Sequence, residues 1–496
     1  MTTLCCIEIN GKDLSLEKAA SIAYGAGIEL GNDVELKLER AHSYVVSVAR
    51  QAKAVYGINT GFGYFANKKI SKDKLLHLQE NILKSHAAGW GDPLPIPETR
   101  LAVALRLNVL VKGHTGVRIE ICNLLKELIN REIYPLIPEY GSVGASGDLA
   151  PLAHLALPLI GHGRVLYKGK VIPSKEALAQ AGLEPIILAE KEGLGLINGT
   201  QIMLSVGGLA LWKALELLEY AEKITALTYE AMVGSPNALH PYIHELRNQK
   251  GQQISAERIL NQLEGSYLFD LTTERNKVQD SYSIRCAPQV HGPSREALDY
   301  AKGVIERELN AVTDNPLVFP DEELILSGGN FHGQPLAMAY DFAAMAVAEL
   351  GNISERRLEL LLNPHLSGLP AFLAPDEGVD SGYMAAQYLS ASLVNENKIL
   401  ANPACTDSIP GNVGVEDHVS MGMTSARKLK KIIENTYTIL AAEMVAAAQA
   451  IDMRGITKLG LGTGTLYRKL RSVVPQLTED RIISDDIAKA REILHP

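Results

Sequence analysis

Apolar residues recur at three- and four-residue steps through much of the chain, which is the pattern of helices with one buried face. The clearest case lies near the carboxyl terminus, where the recurring residues are Leu429, Ile432, Ile433, Tyr437, Leu440 and Met444. The pattern predicts long helices at about 201–232, 290–312, 333–363, 383–400 and 420–452. Alanine-rich stretches at 441–442 and 446–448 allow close helix–helix approach, so we predict a mainly α fold with a central bundle of long helices.

The amino-terminal part mixes shorter elements. Brief apolar alternation and a turn signal at 11–13 indicate a small strand pair. Helical patterns follow at 35–56, 75–88 and 98–131, and a strand-bearing excursion is predicted at 165–182. Three glycines within 56–63 break the helical pattern and predict a loop. We therefore expect a smaller mixed lobe over 1–200 that carries the active-site loops and a long-helix core over 201–496, joined without a linker.

Composition and charge narrow the class of protein. A chain of 496 residues with 46% hydrophobic and 21% charged residues is typical of a globular protein with a sizeable core. The formal net charge of -9 argues against binding to nucleic acid or an anionic membrane. We find neither a signal peptide nor an apolar run of membrane-spanning length, so we expect a soluble cytoplasmic protein. An odd number of irregularly spaced cysteines argues against a disulfide framework or a zinc site: Cys5, Cys6, Cys122, Cys286 and Cys405.

The most informative segment is Ala145-Ser146-Gly147, followed by Asp148 and an apolar helical run. Pro151 suits the first turn of a helix, so the helix should begin near Asp148. The simplest interpretation is that Ser146 or Asp148 is an ordinary N-cap. A second interpretation rests on glycine, which lacks the Cβ that blocks close backbone approach. The Gly147 nitrogen would attack the Ala145 carbonyl, and Ser146 would then lose its hydroxyl to leave an exposed electrophilic methylidene.

This segment resembles the aromatic amino-acid ammonia-lyases and aminomutases, a family in which Ala-Ser-Gly becomes 4-methylidene-imidazol-5-one (MIO). Further matching blocks run from about Tyr56 to about Asp452, and within the family the histidine ammonia-lyases are the most similar. The resemblance implies that MIO forms autocatalytically from Ala145-Ser146-Gly147, with no external cofactor and no metal. It also implies a homotetramer whose active sites combine loops of several subunits.

The resemblance assigns roles to residues that each have a simpler structural interpretation. Tyr56 would be the loop-borne catalytic tyrosine, although a lone tyrosine is usually a half-buried packing residue. As a base at neutral pH it needs nearby positive potential, because tyrosine normally titrates near ~10. His86 in Ser85-His86 would face the substrate ring, although an isolated helical histidine is more often structural. Asn198 would contact the MIO ring or the substrate amine, whereas Asn-Gly-Thr alone indicates a turn or a helix cap.

A second block covers 279–286. Arg285 offers a planar fork that grips a carboxylate with two hydrogen bonds, although a surface ion pair is the commoner role of one arginine. Tyr282 lies three residues earlier and would share its face in a helix. The resemblance places Tyr282 and Gln279 in the active site. It also brings in Phe331, in a glycine-rich loop, which would stack on a planar side chain or else serve as a core aromatic.

Glu416 is the residue that predicts the substrate. The Glu-Asp-His sequence at 416–418 superficially suggests a metal site, but adjacent residues seldom converge on one ion. The histidine lyases carry Glu here, whereas lyases acting on phenylalanine or tyrosine usually carry Gln. A carboxylate suits an imidazole N–H, and beside an apolar ring it would be desolvated without a partner. Val415 and the segment 411–414 depart from the histidine-lyase pattern.

The predicted reaction is the elimination of ammonia from L-histidine to give trans-urocanate, catalysed by a carbon–nitrogen lyase. MIO would turn the amine into a better leaving group, and Tyr56, assisted by Tyr282, would remove the β-proton. Arg285 would hold the carboxylate, while His86 and Glu416 orient the imidazole. Three alternatives stay open: a tyrosine or phenylalanine ammonia-lyase, an MIO aminomutase, and a non-catalytic helical scaffold.

Overall fold

The structure, a computed structural model, describes residues 6–494 apart from 52 and 276, so Cys5 lies outside the described residues. The described chain is mainly helical, as the sequence predicts. Its α-helices are α1 (Leu16–Ala23), α2 (Val34–Ala49), α3 (Lys72–His86), α4 (Ile96–Leu110), α5 (Ile119–Asn130), α6 (Leu149–Ala156), α7 (Ser174–Gln180), α8 (Glu192–Ile197), α9 (Gln201–Ala231), α10 (Pro241–Arg247), α11 (Lys250–Gln262), α12 (Tyr282–Arg285), α13 (Ala287–Glu308), α14 (Gln334–Leu362), α15 (Pro364–Ser367), α16 (Met384–Leu400), α17 (Gly422–Arg454), α18 (Leu461–Arg471) and α19 (Ile483–Leu494).

The strands are short and form several small sheets. They are β1 (Ile7–Ile9), β2 (Ile28–Leu30), β3 (Trp90–Pro93), β4 (Tyr134–Pro135), β5 (Pro138–Tyr140), β6 (Arg164–Tyr167), β7 (Lys170–Pro173), β8 (Leu317–Phe319) and β9 (Leu324–Leu326). The pairs are β1–β2, β3–β5, β4–β6–β7 and β8–β9. The predicted excursion at 165–182 is confirmed by the β6–β7 hairpin. The amino-terminal pair β1–β2 is parallel, so the turn at 11–13 leads into the crossover helix α1 rather than into a hairpin.

One compact unit combines Met1–Trp212, Lys302–Tyr340 and Pro403–Arg427. Its helix α4 is buried from Glu98 through Leu110, as expected of a helix without a single apolar face. The predicted helix over 98–131 is divided into α4 and α5, because two intervening glycines, Gly113 and Gly116, adopt φ values of +78° and +83°. Such left-handed backbone cannot continue an α-helix.

A second compact unit combines Lys213–Ala301, Asp341–Asn402 and Lys428–Pro496. All six apolar residues that predicted a buried face on α17 are at most 1% exposed. Its core also holds a buried ion pair, in which Arg357 Nε lies 2.5 Å from Glu443 Oε1. The hydroxyls of Thr228 and Ser354 donate to the same carboxylate, so both of its oxygens are hydrogen-bonded. Such bonding offsets the cost of burying the charges.

The long helices agree with their predicted bounds to within a few residues. Helix α9 has the length and apolar composition of a membrane span, but 78% of its most apolar window is buried inside the protein, which is typical of a core helix. The predicted division places one boundary near residue 200, whereas each compact unit combines three segments of the chain. The reason is that α9, α13, α14 and α17 contain residues of both units.

Candidate active site

A cavity of about 870 Å³ lies within the first compact unit. Six of the predicted site residues line it: Tyr56, His86, Ser146, Asn198, Phe331 and Glu416. They come from segments far apart in sequence, and Ala145 and Gly147 flank Ser146 at the wall. The half-buried ring of Phe331 lies in the loop before α14, where it is available to stack on a planar group.

The segment around Ser146 is a tight turn that approaches the segment around Gly199. Ser146 and Gly147 adopt φ values of +50° and +79°. A Cβ on Gly147 would lie 2.0 Å from the Gly199 carbonyl oxygen, so only glycine fits there. The Gly199 N–H donates to the Ser146 carbonyl at 3.3 Å, and the Asp148 N–H donates to the Gly199 carbonyl at 2.7 Å. These contacts fix the serine turn at the cavity wall.

Asp148 does not cap its own helix, so that part of the simple N-cap interpretation is wrong. It precedes α6, but its carboxylate accepts the N–H groups of Ile202 and Met203 at 3.0 and 2.8 Å, at the start of α9. The Ser142 hydroxyl donates to the other carboxylate oxygen at 2.7 Å. A carboxylate is favourable at a helix N-terminus, because unpaired N–H groups point outward there. Burial nevertheless raises the pKa of Asp148 to about 6, and these hydrogen bonds oppose the rise.

Asn198 presents an unpartnered acceptor at the cavity. It follows α8, and its side chain is not a simple cap: the amide Nδ2 donates to the Asn315 carbonyl at 2.8 Å. The buried Arg106 guanidinium donates to the Asn198 backbone carbonyl at 2.8 Å. The residue is 3% exposed, and its Oδ1 is buried with no hydrogen-bond partner among the described residues. A buried acceptor without a donor is costly, so this oxygen is suited to receive an N–H from a ligand.

Tyr56 begins the Tyr56 loop, defined here as residues 56–70. Its hydroxyl accepts the Gly63 N–H of the same loop at 3.5 Å. Burial raises the pKa of Tyr56 above its ordinary value, and the negative charges of Glu416 and Asp314 add to this rise. The described surroundings within one chain therefore favour the neutral phenol, which is the opposite of what a tyrosine base requires.

His86 is the last residue of α3, and its imidazole is oriented by that helix. Nδ1 lies 3.0 Å from the Ile82 carbonyl and 3.1 Å from the Ser85 hydroxyl. Burial lowers the pKa of His86, and the Ile82 contact and the Glu416 charge oppose this effect only in part. A neutral imidazole beside a carbonyl carries its proton on Nδ1, so Nε2 is left as an acceptor.

Glu416 closes the turn 411–416, in which the Gly411 and Glu416 backbones exchange two hydrogen bonds of 2.8 and 3.3 Å. Its Oε1 accepts from the Ser146 hydroxyl at 3.4 Å and from Asn412 Nδ2 at 3.3 Å. A carboxylate is thus held at the cavity wall next to the serine turn. With His86 Nε2, it gives the cavity two hydrogen-bond acceptors.

The predicted residues Gln279, Tyr282 and Arg285 lie in the second compact unit and are not among the described residues that line the cavity. Tyr282 and Arg285 share one face of α12, as their spacing predicts, and the guanidinium lies 4.5 Å from the centre of the tyrosine ring. Gln279 is exposed and Tyr282 is 71% exposed. Arg285 Nε donates to the Asp280 carbonyl, and in the described chain Arg285 has no salt bridge to a carboxylate.

Comparison with known proteins decides the family. The family model for aromatic amino acid lyases matches residues 14–472. The chain belongs to the aromatic amino acid lyase family. The histidine ammonia-lyase of Treponema denticola is 48% identical over 490 residues, which cover 98% of this chain and 96% of that protein. The solved histidine ammonia-lyase from Trypanosoma cruzi matches with a TM-score of 0.92 at 41% identity, covering 99% of this chain and 93% of that one. The tyrosine aminomutase from Streptomyces globisporus matches with a TM-score of 0.94 at 38% identity, covering 99% and 97%. The predicted family, mainly α fold and carbon–nitrogen lyase class are confirmed.

This aromatic amino acid lyase also contains a buried ion pair that the sequence did not predict. Lys191 and Asp314 form an ion pair of 2.7 Å in which both side chains are 0% exposed. Asp314 lies in the Thr-Asp-Asn-Pro turn, and the next residue, Asn315, supplies the carbonyl that holds Asn198. Lys191 stands between two glutamates in the sequence and gives no sign of burial there. Only the contact across the fold identifies it.

Proposed function

We propose that this lyase eliminates ammonia from L-histidine and releases trans-urocanate. The observation that carries the proposal is the Glu416 carboxylate at the wall of the cavity that also contains His86 and Ser146. Several relatives that are named histidine ammonia-lyase, at 45–48% identity over nearly the whole chain, support the same substrate.

The two acceptors of the cavity match the two N–H donors of a charged imidazolium ring, whereas a neutral imidazole offers one. Neutral His86 offers Nε2, and Glu416 offers a carboxylate oxygen, so a ring with N–H donors is bound by both. A charged imidazolium gains further from the carboxylate, because hydrogen bonds between ions are roughly twice as strong as neutral ones. A phenyl ring would instead desolvate Glu416 without giving it a partner.

The turn Ala145-Ser146-Gly147 fits the MIO group. Ring formation needs a backbone that folds back within three residues, and the positive φ values of Ser146 and Gly147 provide that fold. MIO supplies an electrophilic methylidene, which makes the substrate amine a better leaving group. The protein's own contribution lies around it: Asn198 Oδ1 accepts an N–H of the amine, and the Gly199 N–H donates to the Ser146 carbonyl. Helix α6 begins two residues after Gly147, and its N-terminus adds positive potential next to the developing charge.

We infer that the remaining residues reach the site from another subunit of a homotetramer. Tyr56 needs positive potential to act as the base, whereas its own chain raises its pKa. Arg285 of a second copy would supply that potential and grip the substrate carboxylate, and Tyr282 and Gln279 accompany it on the same segment. A cytoplasmic location accords with this proposal and rests on the sequence alone.

Substrate comparison tests the proposal. Purified protein is assayed with L-histidine, L-tyrosine and L-phenylalanine, alongside Glu416→Gln, which keeps the side-chain shape and removes its charge. Loss of a charge-assisted hydrogen bond is worth about 1.5–3 kcal/mol, so we expect kcat/KM for histidine to fall about 10–100-fold. The rate with phenylalanine should stay within a few-fold. Tyrosine turnover above histidine turnover in the wild-type protein contradicts the proposal.

Product and mass analysis separates the alternatives. MIO formation removes two water molecules, so the intact mass of the folded protein should be lower than the encoded mass by that amount. A full encoded mass would mean an unmodified Ser146 and a scaffold rather than a lyase. A β-amino acid product in place of free ammonia and urocanate would identify an aminomutase.

A further inference from the structure

The turn 411–416 carries one side chain that touches two parts of the cavity at once. Asn412 Oδ1 accepts the N–H of Tyr64, which belongs to the Tyr56 loop, at 3.2 Å. Asn412 Nδ2 donates to Glu416 Oε1 at 3.3 Å. The Asn412 amide therefore connects the Tyr56 loop with the Glu416 carboxylate, which is proposed to bind the substrate ring.

The Tyr56 loop packs closely against the Asn412 side-chain amide. Gly63 has a φ of +52°, and a Cβ built on it would lie 2.1 Å from Asn412 Nδ2. Asn412 itself has a φ of +50°, a left-handed conformation that asparagine tolerates better than most residues. Both the residue type at 412 and the glycine opposite it thus suit a close contact.

Asn412 stays a hydrogen-bond donor to Glu416 when the other donor, the Ser146 hydroxyl, is lost. Ser146 and Asn412 are the two described side chains that donate to Glu416 Oε1. When Ser146 forms MIO it loses its hydroxyl, so Asn412 is the described side-chain donor that remains on this oxygen. A neutral amide orients the carboxylate without neutralising it, and the second oxygen, Oε2, stays available for a ring N–H.

We propose that Asn412 is a positioning residue that couples the Tyr56 loop to Glu416. This inference deepens the proposed function and rests on it, because Glu416 is taken there to bind the substrate ring. Through Oδ1 the amide holds the loop, and through Nδ2 it aims the carboxylate. Loss of Asn412 therefore disturbs the tyrosine side and the ring side of the site together.

Two variants separate these contacts. Asn412→Asp keeps an acceptor for the Tyr64 N–H and replaces the donor to Glu416 by a like charge. Asn412→Gly keeps the left-handed backbone and removes both contacts. Hydrogen exchange of the full-length protein, followed by mass spectrometry of the peptide that contains Tyr64, reports the loop contact. The KM for L-histidine reports the carboxylate contact.

We expect Asn412→Gly to speed exchange at Tyr64 at least about fivefold and to raise KM about tenfold. Asn412→Asp should raise KM similarly while exchange stays close to that of the wild-type protein. Val413→Ala is the matched control, since Val413 lies in the same turn and is 81% exposed. It should change neither quantity.

Wild-type KM in Asn412→Asp overturns the proposal, as does an Asn412→Gly variant in which only one of the two quantities changes. In the Glu416→Gln background, Asn412→Asp should no longer raise KM, which a merely structural role would not produce. The exchange experiment needs no substrate. If the enzyme prefers tyrosine, the proposed function fails while the loop contact can still be measured.

Discussion

The buried pair of Lys191 and Asp314 gives the most direct test of how this fold holds its site. Both side chains are 0% exposed, and Lys191 Nζ lies 2.7 Å from Asp314 Oδ2. Lys191→Met keeps an unbranched stem of similar length and removes the ammonium. Asp314 then stays buried with the Asn315 N–H, at 2.7 Å, as its described donor.

The size of the effect follows from the burial. Breaking a buried pair on one side leaves an uncompensated charge and costs about 3–5 kcal/mol. An unfolding entropy of about 2.1 cal/mol/K per residue gives about 1 kcal/mol/K for this chain. Lys191→Met should therefore lower Tm by about 3–5 °C. Adding Asp314→Asn removes the stranded charge and should restore at least half of the loss.

Differential scanning calorimetry of the four proteins at equal protomer concentration measures these shifts. Lys458→Met is the control, because Lys458 forms a surface pair with Asp270 in which the side chains are 57% and 40% exposed. Exposed pairs contribute about 0–1 kcal/mol, so the control should melt within about 1 °C of the wild-type protein. The reasoning is refuted if Lys191→Met melts as the wild type does, or if the double variant is no more stable than Lys191→Met.

Two further predictions concern the residues around Ser146. The folded pKa of Asp148 is raised to about 6 from 3.8, so the stability it contributes is complete below about 3.8 and is lost as pH rises through 6. Asp148→Asn removes that dependence. Of a total of about 3 kcal/mol, about 2 kcal/mol falls between pH 4.5 and 7.5, so the Tm of the variant relative to the wild type should rise by about 2 °C over that range. A constant difference in Tm contradicts this. Asn198→Ala removes the unpartnered acceptor at the cavity and should lower kcat/KM about 10–100-fold in steady-state assays, whereas a change below threefold rejects the role of Oδ1.

The long helices were predictable because their signal is local. Each apolar residue that marks α17 lies three or four positions from another of the set, and burial of that face follows from the helical repeat. The site residues on short motifs were predictable for a different reason. Tyr56, His86 and Ser146 stand in segments whose residue order resembles that of a known family, and the structure places them around one cavity.

The contacts that could not be predicted join residues far apart in the sequence. Asp148 is next to α6 in sequence, but its carboxylate accepts N–H groups at the start of α9, more than fifty residues away. Lys191 lies between Glu190 and Glu192, which predicts a surface residue. Its partner Asp314 is 123 positions further along the chain. Asn412 sits in a segment that departs from the histidine-lyase pattern, so resemblance gave it no role. Contacts of this kind have no periodicity that a single sequence displays.

The close approach of Gly147 and Gly199 has a consequence for redesigning this enzyme. The tripeptide proposed to form the electrophile and Asn198, the amide proposed to receive the amine, meet at one junction, where even a methyl group does not fit. Glu416, the carboxylate proposed to discriminate between side-chain rings, belongs to a different segment, a six-residue turn in which Val413 and Gly414 are exposed. Libraries aimed at new amino acids should thus randomise Glu416 and the exposed positions of the turn, and leave the junction and Asn412 unchanged.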